Sequence, residues 1–101
     1  MNIFFMGTPE FAVPTLDILN KYYNVIGVFT QPPRPSGRGM KEIKSSIQQY
    51  SEKNKLNFYT PNNLKNDETW KLLKNLNPDL IVVVAYGLLI PEVILKIPSY
   101  G

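Results

Sequence analysis

Hydrophobic residues fall along this chain in short continuous runs, each separated from the next by a segment of mixed polarity. The run IFFM at residues 3–6 predicts a strand covered on both faces, as in a parallel sheet. β-Branched and aromatic residues predict a second strand at 24–30 and a short third strand at 56–59. DLIVVVAY at 79–86 is the most apolar run, and it predicts a fourth strand buried on both faces.

Helical patterns occupy the segments between and after these strands. The first follows a Gly-Thr-Pro turn, in which Thr8 is predicted as the N-cap and Pro9 as the first helical residue. Pro14 removes a backbone donor, so we expect an irregular first turn and then a regular helix over 14–21.

Three more helices follow in the sequence pattern. Ile43, Ile47 and Tyr50 recur at helical spacing and predict an amphipathic helix over 44–53. The remaining two are predicted at 67–75 and, as a short helix, from about residue 91.

The repeated strand-helix order predicts an α/β fold with a Rossmann-like, doubly wound parallel sheet in the spatial order three, two, one, four. We expect this sheet to be truncated after about four strands. In this order the fourth strand, 80–85, is an edge without a charge, a proline or a bulge. We therefore expect another strand to pair there, from a continuation of the chain or from a partner subunit, and we expect the isolated chain to self-associate.

Composition narrows the chemistry that these residues can perform. The chain has 101 residues, 44% of them hydrophobic, which fits one globular domain with a modest core. It has no cysteine and no histidine, so it offers neither a thiol nor the commonest general base, and no metal is expected. The apolar N-terminus is interrupted too soon for a signal peptide or a membrane span, so we expect a soluble, cytoplasmic protein.

Positive charge is concentrated in the proline- and glycine-rich segment 31–44, which we expect to be a loop. The net charge of the chain is only +3, but this segment contains Arg34, Arg38, Lys41 and Lys44 against a single acidic residue. A short basic run is most often a solvated surface. The alternative is a surface that contacts phosphate groups.

The turn after the first strand lacks the marks of NAD binding. Its sequence is MGTPEF instead of G-x-G-x-x-G, and the second strand ends in Thr-Gln instead of an acidic residue. NADP binding stays an alternative, because Arg34 or Arg38 could hold a 2′-phosphate. The backbone N–H groups of Gly7 and Thr8 could hold an anionic or carbonyl oxygen, or could merely turn the chain and cap a helix.

The segment after the fourth strand is a second candidate site. Tyr86 and Gly87 should lie beside the first turn, where a flat ligand could enter an apolar slot lined by Leu88, Leu89 and Ile90. The same residues could equally form a buried loop packed under a helix. No pair of carboxylates is placed for acid–base work, so no catalytic constellation is predicted.

Four segments together resemble the methionyl-tRNA formyltransferases: FFMGTPEFAVPTL, VIGVFTQPPRPSGRGMK, NPDLIVVVAYGLLIPEVIL and the closing SYG. They occur in the family's order and span essentially the whole chain. GTPEFAVP and the TQP-to-GRG segment distinguish this family from glycinamide ribonucleotide and sugar formyltransferases. The resemblance implies transfer of a formyl group from 10-formyltetrahydrofolate to the methionyl amino group of initiator tRNA.

The resemblance also implies roles for the segments described above. The first turn would shape the pocket for the aminoacyl end of the substrate, through Gly7, Thr8, Pro9 and Phe11. The basic segment would contact the phosphates of the tRNA acceptor stem, through Arg34, Arg38, Lys41 and Lys44. The segment after the fourth strand would form a wall of the folate pocket, through Tyr86, Gly87, Leu88, Leu89 and Ile90.

In that family, further functional segments follow the position of Gly101. The next strand carries an Asn-x-His motif, and a folate-binding segment, a catalytic aspartate and a C-terminal barrel domain come later. We therefore interpret residues 1–101 as the amino-terminal portion of a formyltransferase catalytic domain and expect them to be inactive alone. The alternatives are a non-catalytic RNA-binding module and, as above, an NADP-binding domain.

Overall fold

A computed structural model of the chain describes residues 1–36 and 41–101, so the predicted site residue Arg38 lies outside the described residues. The fold is α/β, with a four-stranded sheet and a two-stranded hairpin. The strands are β1 (Asn2–Gly7), β2 (Asn24–Phe29), β3 (Arg34–Ser36), β4 (Lys41–Ile43), β5 (Phe58–Tyr59) and β6 (Leu80–Val84). The helices are α1 (Val13–Tyr22), α2 (Ser46–Lys53), α3 (Asp67–Leu76) and α4 (Glu92–Leu95), with a 3-10 turn at Glu10–Ala12 before α1.

The four-stranded sheet is parallel and has the order β5-β2-β1-β6, which confirms the predicted order three, two, one, four. β1 is one of its two central strands and pairs with β2 on one side and β6 on the other. Parallel strands end at the same edge of a sheet. The residues that follow β1, β2 and β6 are therefore brought together at one edge.

β1 separates two apolar clusters, one on each face of the sheet. Phe4 and Met6 belong to the cluster that contains Leu73 of α3, whereas Phe5 belongs to the cluster that contains Leu16 of α1. Side chains of a strand point alternately to opposite faces, so one apolar run fills both clusters. This is the doubly covered central strand that the sequence predicts.

The prediction that the basic segment is simply a loop is wrong, because β3 and β4 pair as an antiparallel hairpin. Ile43, predicted on the apolar face of the next helix, instead pairs with Arg34 and is exposed. The side chain of Ser45 accepts a hydrogen bond of 2.9 Å from the Gln48 N–H, so α2 begins only at Ser46. Arg34 and Pro35 of β3 and all three residues of β4 are exposed. Exposed strand residues need no apolar alternation, and for this reason the sequence pattern does not indicate the hairpin.

β6 is not buried on both faces, contrary to the prediction, because Val83 is 43% exposed. Among residues 1–36 and 41–101, the outer edge of β6 has backbone partners only near its start. The Tyr100 N–H donates to the Asp79 carbonyl over 2.8 Å, and the Gly101 carbonyl accepts from the Ile81 N–H over 2.6 Å. The strand ends at Val84, since Ala85 takes a left-handed φ of 50°.

The predicted helices are close to those observed. The 3-10 turn before α1 is the irregular turn expected from Pro14, and α3 ends where Asn77 adopts a left-handed φ of 52°. Trp70 packs against the core and donates its indole N–H to the Leu64 carbonyl over 2.7 Å. Within residues 1–36 and 41–101, no helix has the length and apolar character needed to cross a membrane.

Candidate functional site

Three polar groups meet where β1, β2 and β6 end, and we call them the strand-end cluster: Thr8, Gln31 and the backbone carbonyl of Tyr86. The Thr8 hydroxyl donates to this carbonyl over 2.7 Å, and the side-chain amide of Gln31 donates to it over 2.9 Å. The Gln31 N–H in turn donates to the Thr8 hydroxyl over 3.4 Å. The prediction of Thr8 as an N-cap is therefore wrong, because Pro9 holds that position and Thr8 bonds across the sheet.

Two glycines allow the chain to approach so closely at this edge. A Cβ on Gly7 would lie 2.7 Å from a ring carbon of Phe5 and 2.9 Å from the Val84 carbonyl. Gly87 has a left-handed φ of 91°, and a Cβ there would collide with the side-chain amide of Gln31. Larger residues at either position would separate the turns that form the cluster.

On one side of the strand-end cluster lies a cleft of about 340 Å³, which we call the hairpin cleft because the base of the β3-β4 hairpin forms one wall. Its lining residues are Thr8, Pro9, Gln31, Pro32, Arg34, Pro35, Ile43, Lys44, Ser45 and Ser46. Four of the predicted substrate residues, Thr8, Pro9, Arg34 and Lys44, therefore meet in one cleft.

The other predicted substrate residues do not line the hairpin cleft. Gly7 is buried at the end of β1, Phe11 is exposed in the 3-10 turn, and Lys41 is exposed in β4. Lys44 is also less available than the sequence suggests, because its ammonium group lies 3.1 Å from the Glu52 carboxylate. Both partners are partly solvated, so the attraction between them is weak.

A second cleft, of about 290 Å³, lies beyond Gly87, and we call it the leucine cleft. It is lined by Asn63, Leu64, Lys65, Gly87, Leu88 and Leu89. Three of the predicted cofactor residues, Gly87, Leu88 and Leu89, thus border one cavity. Ile90 does not line it and packs against the core.

Tyr86 contributes its backbone rather than its ring to this edge of the sheet. The side chain is only 2% exposed, and its hydroxyl has no hydrogen-bond partner among the described residues. Burial raises the pKa of the Tyr86 phenol to about 12, because the interior disfavours the charged form.

Sequence reasoning does not identify Gln31 as part of the site, although it is the residue that joins the turns. Its side-chain oxygen accepts a hydrogen bond from the Arg34 guanidinium, while its amide nitrogen bonds Tyr86. A second missed contact joins the hydroxyls of Thr30 and Ser45 over 2.6 Å. The available signal is a polar Thr-Gln pair directly after an apolar strand, at the edge where ligands bind in open α/β sheets.

A groove of about 590 Å³ between α3 and α4 does not belong to this edge. Its walls include Trp70, Lys71, Lys74 and Val93, and none of the sequence-predicted site residues lines it. Within residues 1–36 and 41–101, no group of three or more acidic residues is gathered in a way that could hold a metal ion.

The chain belongs to the formyl transferase family, whose model matches residues 1–101. It is 48% identical over 102 residues to the methionyl-tRNA formyltransferase of Rickettsia bellii, covering all of this chain and 34% of that protein. It is also 48% identical over 101 residues to the Rickettsia prowazekii enzyme of the same name and over 102 residues to that of Clostridium novyi. In both cases the whole chain is matched to 33% of the relative. The chain thus spans about a third of the length of these curated relatives.

Proposed function

We propose that this chain forms the amino-terminal part of an enzyme that transfers a formyl group from 10-formyltetrahydrofolate to the methionyl amino group of initiator tRNA. The observation that carries the proposal is the position of the strand-end cluster. Thr8 and Gln31 line the hairpin cleft, Gly87 lines the leucine cleft, and the Tyr86 carbonyl joins them. A transfer between two substrates requires adjoining sites, and the side chain of Gln31 in one cleft lies directly against Gly87 in the other.

The leucine cleft suits the flat ring of a folate. Leu64, Leu88 and Leu89 supply apolar surface, and Gly87 leaves its backbone open because it has no side chain. Bound there, 10-formyltetrahydrofolate supplies a formyl group carried on a nitrogen that serves as the leaving group. The role that we propose for these residues is to bind the ring and to exclude water from it.

The hairpin cleft suits the aminoacyl end of a tRNA, with the hairpin itself reaching the phosphates. Arg34 lines the cleft, and Lys41 is exposed on the outer part of the hairpin. Phosphate contacts from basic residues position a nucleic acid without reading its sequence. We propose the same role for Arg38 from its place in the sequence between these two residues.

We also propose that the enzyme acts in the cytoplasm.

The described polar groups at the junction are suited to holding the substrates. The Thr8 hydroxyl already donates to Tyr86 and accepts from Gln31, so it is committed to fixing the turn. A formyl transfer also requires a group that removes a proton from the attacking amine. We therefore expect residues 1–101 alone to give no formyl transfer.

The proposal is tested with a chimaera in which residues 1–101 replace the matching third of the Rickettsia bellii relative. We expect this chimaera to form formylmethionyl-tRNA from 10-formyltetrahydrofolate, and we expect the 101-residue polypeptide to form none. Turnover by the short polypeptide would refute its inactivity. A folded but inactive chimaera that still binds initiator tRNA would favour the non-catalytic RNA-binding alternative.

A further inference from the structure

The side chain of Gln31 forms hydrogen bonds both with the turn beside the leucine cleft and with the base of the hairpin. It follows β2 closely and is only 8% exposed. Its amide nitrogen donates to the Tyr86 carbonyl over 2.9 Å, and its amide oxygen accepts from the Arg34 guanidinium. A buried amide whose donor and acceptor are both occupied has a fixed orientation.

The two hydrogen bonds at position 31 require a side chain with both a donor and an acceptor. A glutamate could accept from Arg34, but it could not donate to the Tyr86 carbonyl, and a methionine of similar volume could do neither. The neighbouring Gly87 adds a steric requirement, because a Cβ at Gly87 would collide with the Gln31 amide. The Gln31 side chain therefore fits Gly87 in shape and the neighbouring Tyr86 carbonyl in hydrogen bonding.

We infer that Gln31 is a positioning residue that holds the Gly87 wall of the leucine cleft in register with Arg34 of the hairpin cleft. This inference rests on the proposed function, in which one cleft takes the formyl donor and the other takes the aminoacyl-tRNA. Each end of the Gln31 amide then serves a different substrate. The nitrogen end fixes the donor wall through Tyr86, and the oxygen end fixes the cation that meets the tRNA.

The two ends can be separated by substitution in the full-length chimaera. Gln31→Met keeps the volume and removes both hydrogen bonds, so the KM for 10-formyltetrahydrofolate and the KM for initiator tRNA should each rise about fivefold, the effect of one ordinary hydrogen bond. Gln31→Glu keeps the acceptor for Arg34, so only the KM for the donor should rise. Arg34→Ala should raise only the KM for tRNA.

Gln48→Ala is the matched control, since Gln48 is also a buried glutamine, 7% exposed, and lies on α2 outside the strand-end cluster. Its substitution should lower stability and leave both KM values unchanged. If Gln31 were merely structural, Gln31→Met would behave like Gln48→Ala, with less active enzyme and unaltered KM values. That result would overturn the inference.

Hydrogen exchange distinguishes failure of this inference from failure of the proposed function. In the same chimaera, Gln31→Met should speed amide exchange in the peptide that spans Tyr86 and Gly87 about fivefold, and Gln48→Ala should not. An inactive chimaera would refute the proposed function. The exchange result would then decide by itself whether Gln31 positions the turn at Tyr86 and Gly87. Unchanged amide exchange in Gln31→Met would refute the positioning role of Gln31, whether or not the chimaera transfers formyl groups.

Discussion

The Thr8 hydroxyl donates a hydrogen bond of 2.7 Å to the backbone carbonyl of Tyr86, a residue 78 positions later in the chain. The bond joins the turn after β1 to the turn after β6, so it closes the candidate site between the two strands. Both turns depart from regular structure at this point, and the bond replaces the helix cap that a threonine in this position usually provides.

Replacing Thr8 by valine should therefore weaken the fold as well as the site. Thr8→Val keeps the shape of the side chain but leaves the Tyr86 carbonyl with one donor fewer, so we expect a loss of about 1 kcal/mol in the free energy of unfolding. Thr8→Ser should retain most of the stability. Urea denaturation measures both, and Thr15→Val on α1 is the control. Equal losses at the two positions would contradict a special role for Thr8.

Tyr86 should give the protein a distinctive response to alkaline pH. Burial raises the pKa of its phenol to about 12, whereas an unfolded tyrosine titrates near 10. The stability that depends on the neutral phenol is therefore complete below about pH 10 and is lost as the pH rises towards 12, by at most about 1.4 kcal/mol per pH unit.

Tyr86→Phe should remove this alkaline loss and should not destabilise the protein at neutral pH, because the buried hydroxyl has no partner among the described residues. Urea unfolding at about pH 8 and about pH 11, on either side of the ordinary tyrosine pKa, tests both expectations. Tyr22→Phe, at an exposed ring, controls for the change of residue type. A mutant that loses as much stability between these pH values as the wild type would show that Tyr86 is not responsible.

The sheet can be predicted from the sequence because its strands are continuous apolar runs. IFFM and LIVVV indicate β1 and β6 directly, and the helix between β1 and β2 follows from the turn and Pro14. The two short hairpin strands cannot be predicted, because exposed strands show no apolar alternation. The prediction for β6 is too long and too buried, since an apolar run alone does not show how much of an edge strand is covered.

The candidate site is predictable in outline but not in its connections. The turn after β1 and the segment after β6 are both identified, because the carboxyl edge of a parallel sheet is where ligands bind. The role of Gln31 depends on the approach of three turns that are distant in sequence. Such an approach leaves no local pattern, and only the tertiary structure brings its members together.

Basic residues of the hairpin should give tRNA binding a strong dependence on salt. In the chimaera, Lys41→Ala should weaken binding of initiator tRNA, and the slope of log affinity against log salt should become shallower by about 0.9 for each phosphate that is no longer neutralised. Arg38→Ala should do the same. Lys53→Ala, at the exposed end of α2, removes the same charge as Lys41→Ala away from the hairpin. Identical slopes in all three variants would contradict the prediction that Lys41 and Arg38 contact tRNA phosphates.

The open part of the β6 edge should drive self-association of the 101-residue polypeptide. Val83 is 43% exposed there, beyond the section that Tyr100 and Gly101 cover. We expect Val83→Lys to shift sedimentation towards monomer. Val93→Lys, at an equally apolar position that is 45% exposed on α4, should not. A wild-type polypeptide that stays monomeric as its concentration rises would contradict the prediction.

The central place of β1 has a consequence for synthesis on the ribosome. β1 is synthesised before the other strands of this sheet, yet one of its two neighbours is β6. At about 5–20 residues per second, the roughly 55 residues that separate the end of β2 from the end of β6 take about 3–11 s to emerge. Throughout that interval β1, which contains the FFM segment, lacks a partner strand on the edge that later pairs with β6. The nascent chain therefore passes through a stage at which an apolar strand of its core is open to chaperones and to other nascent chains.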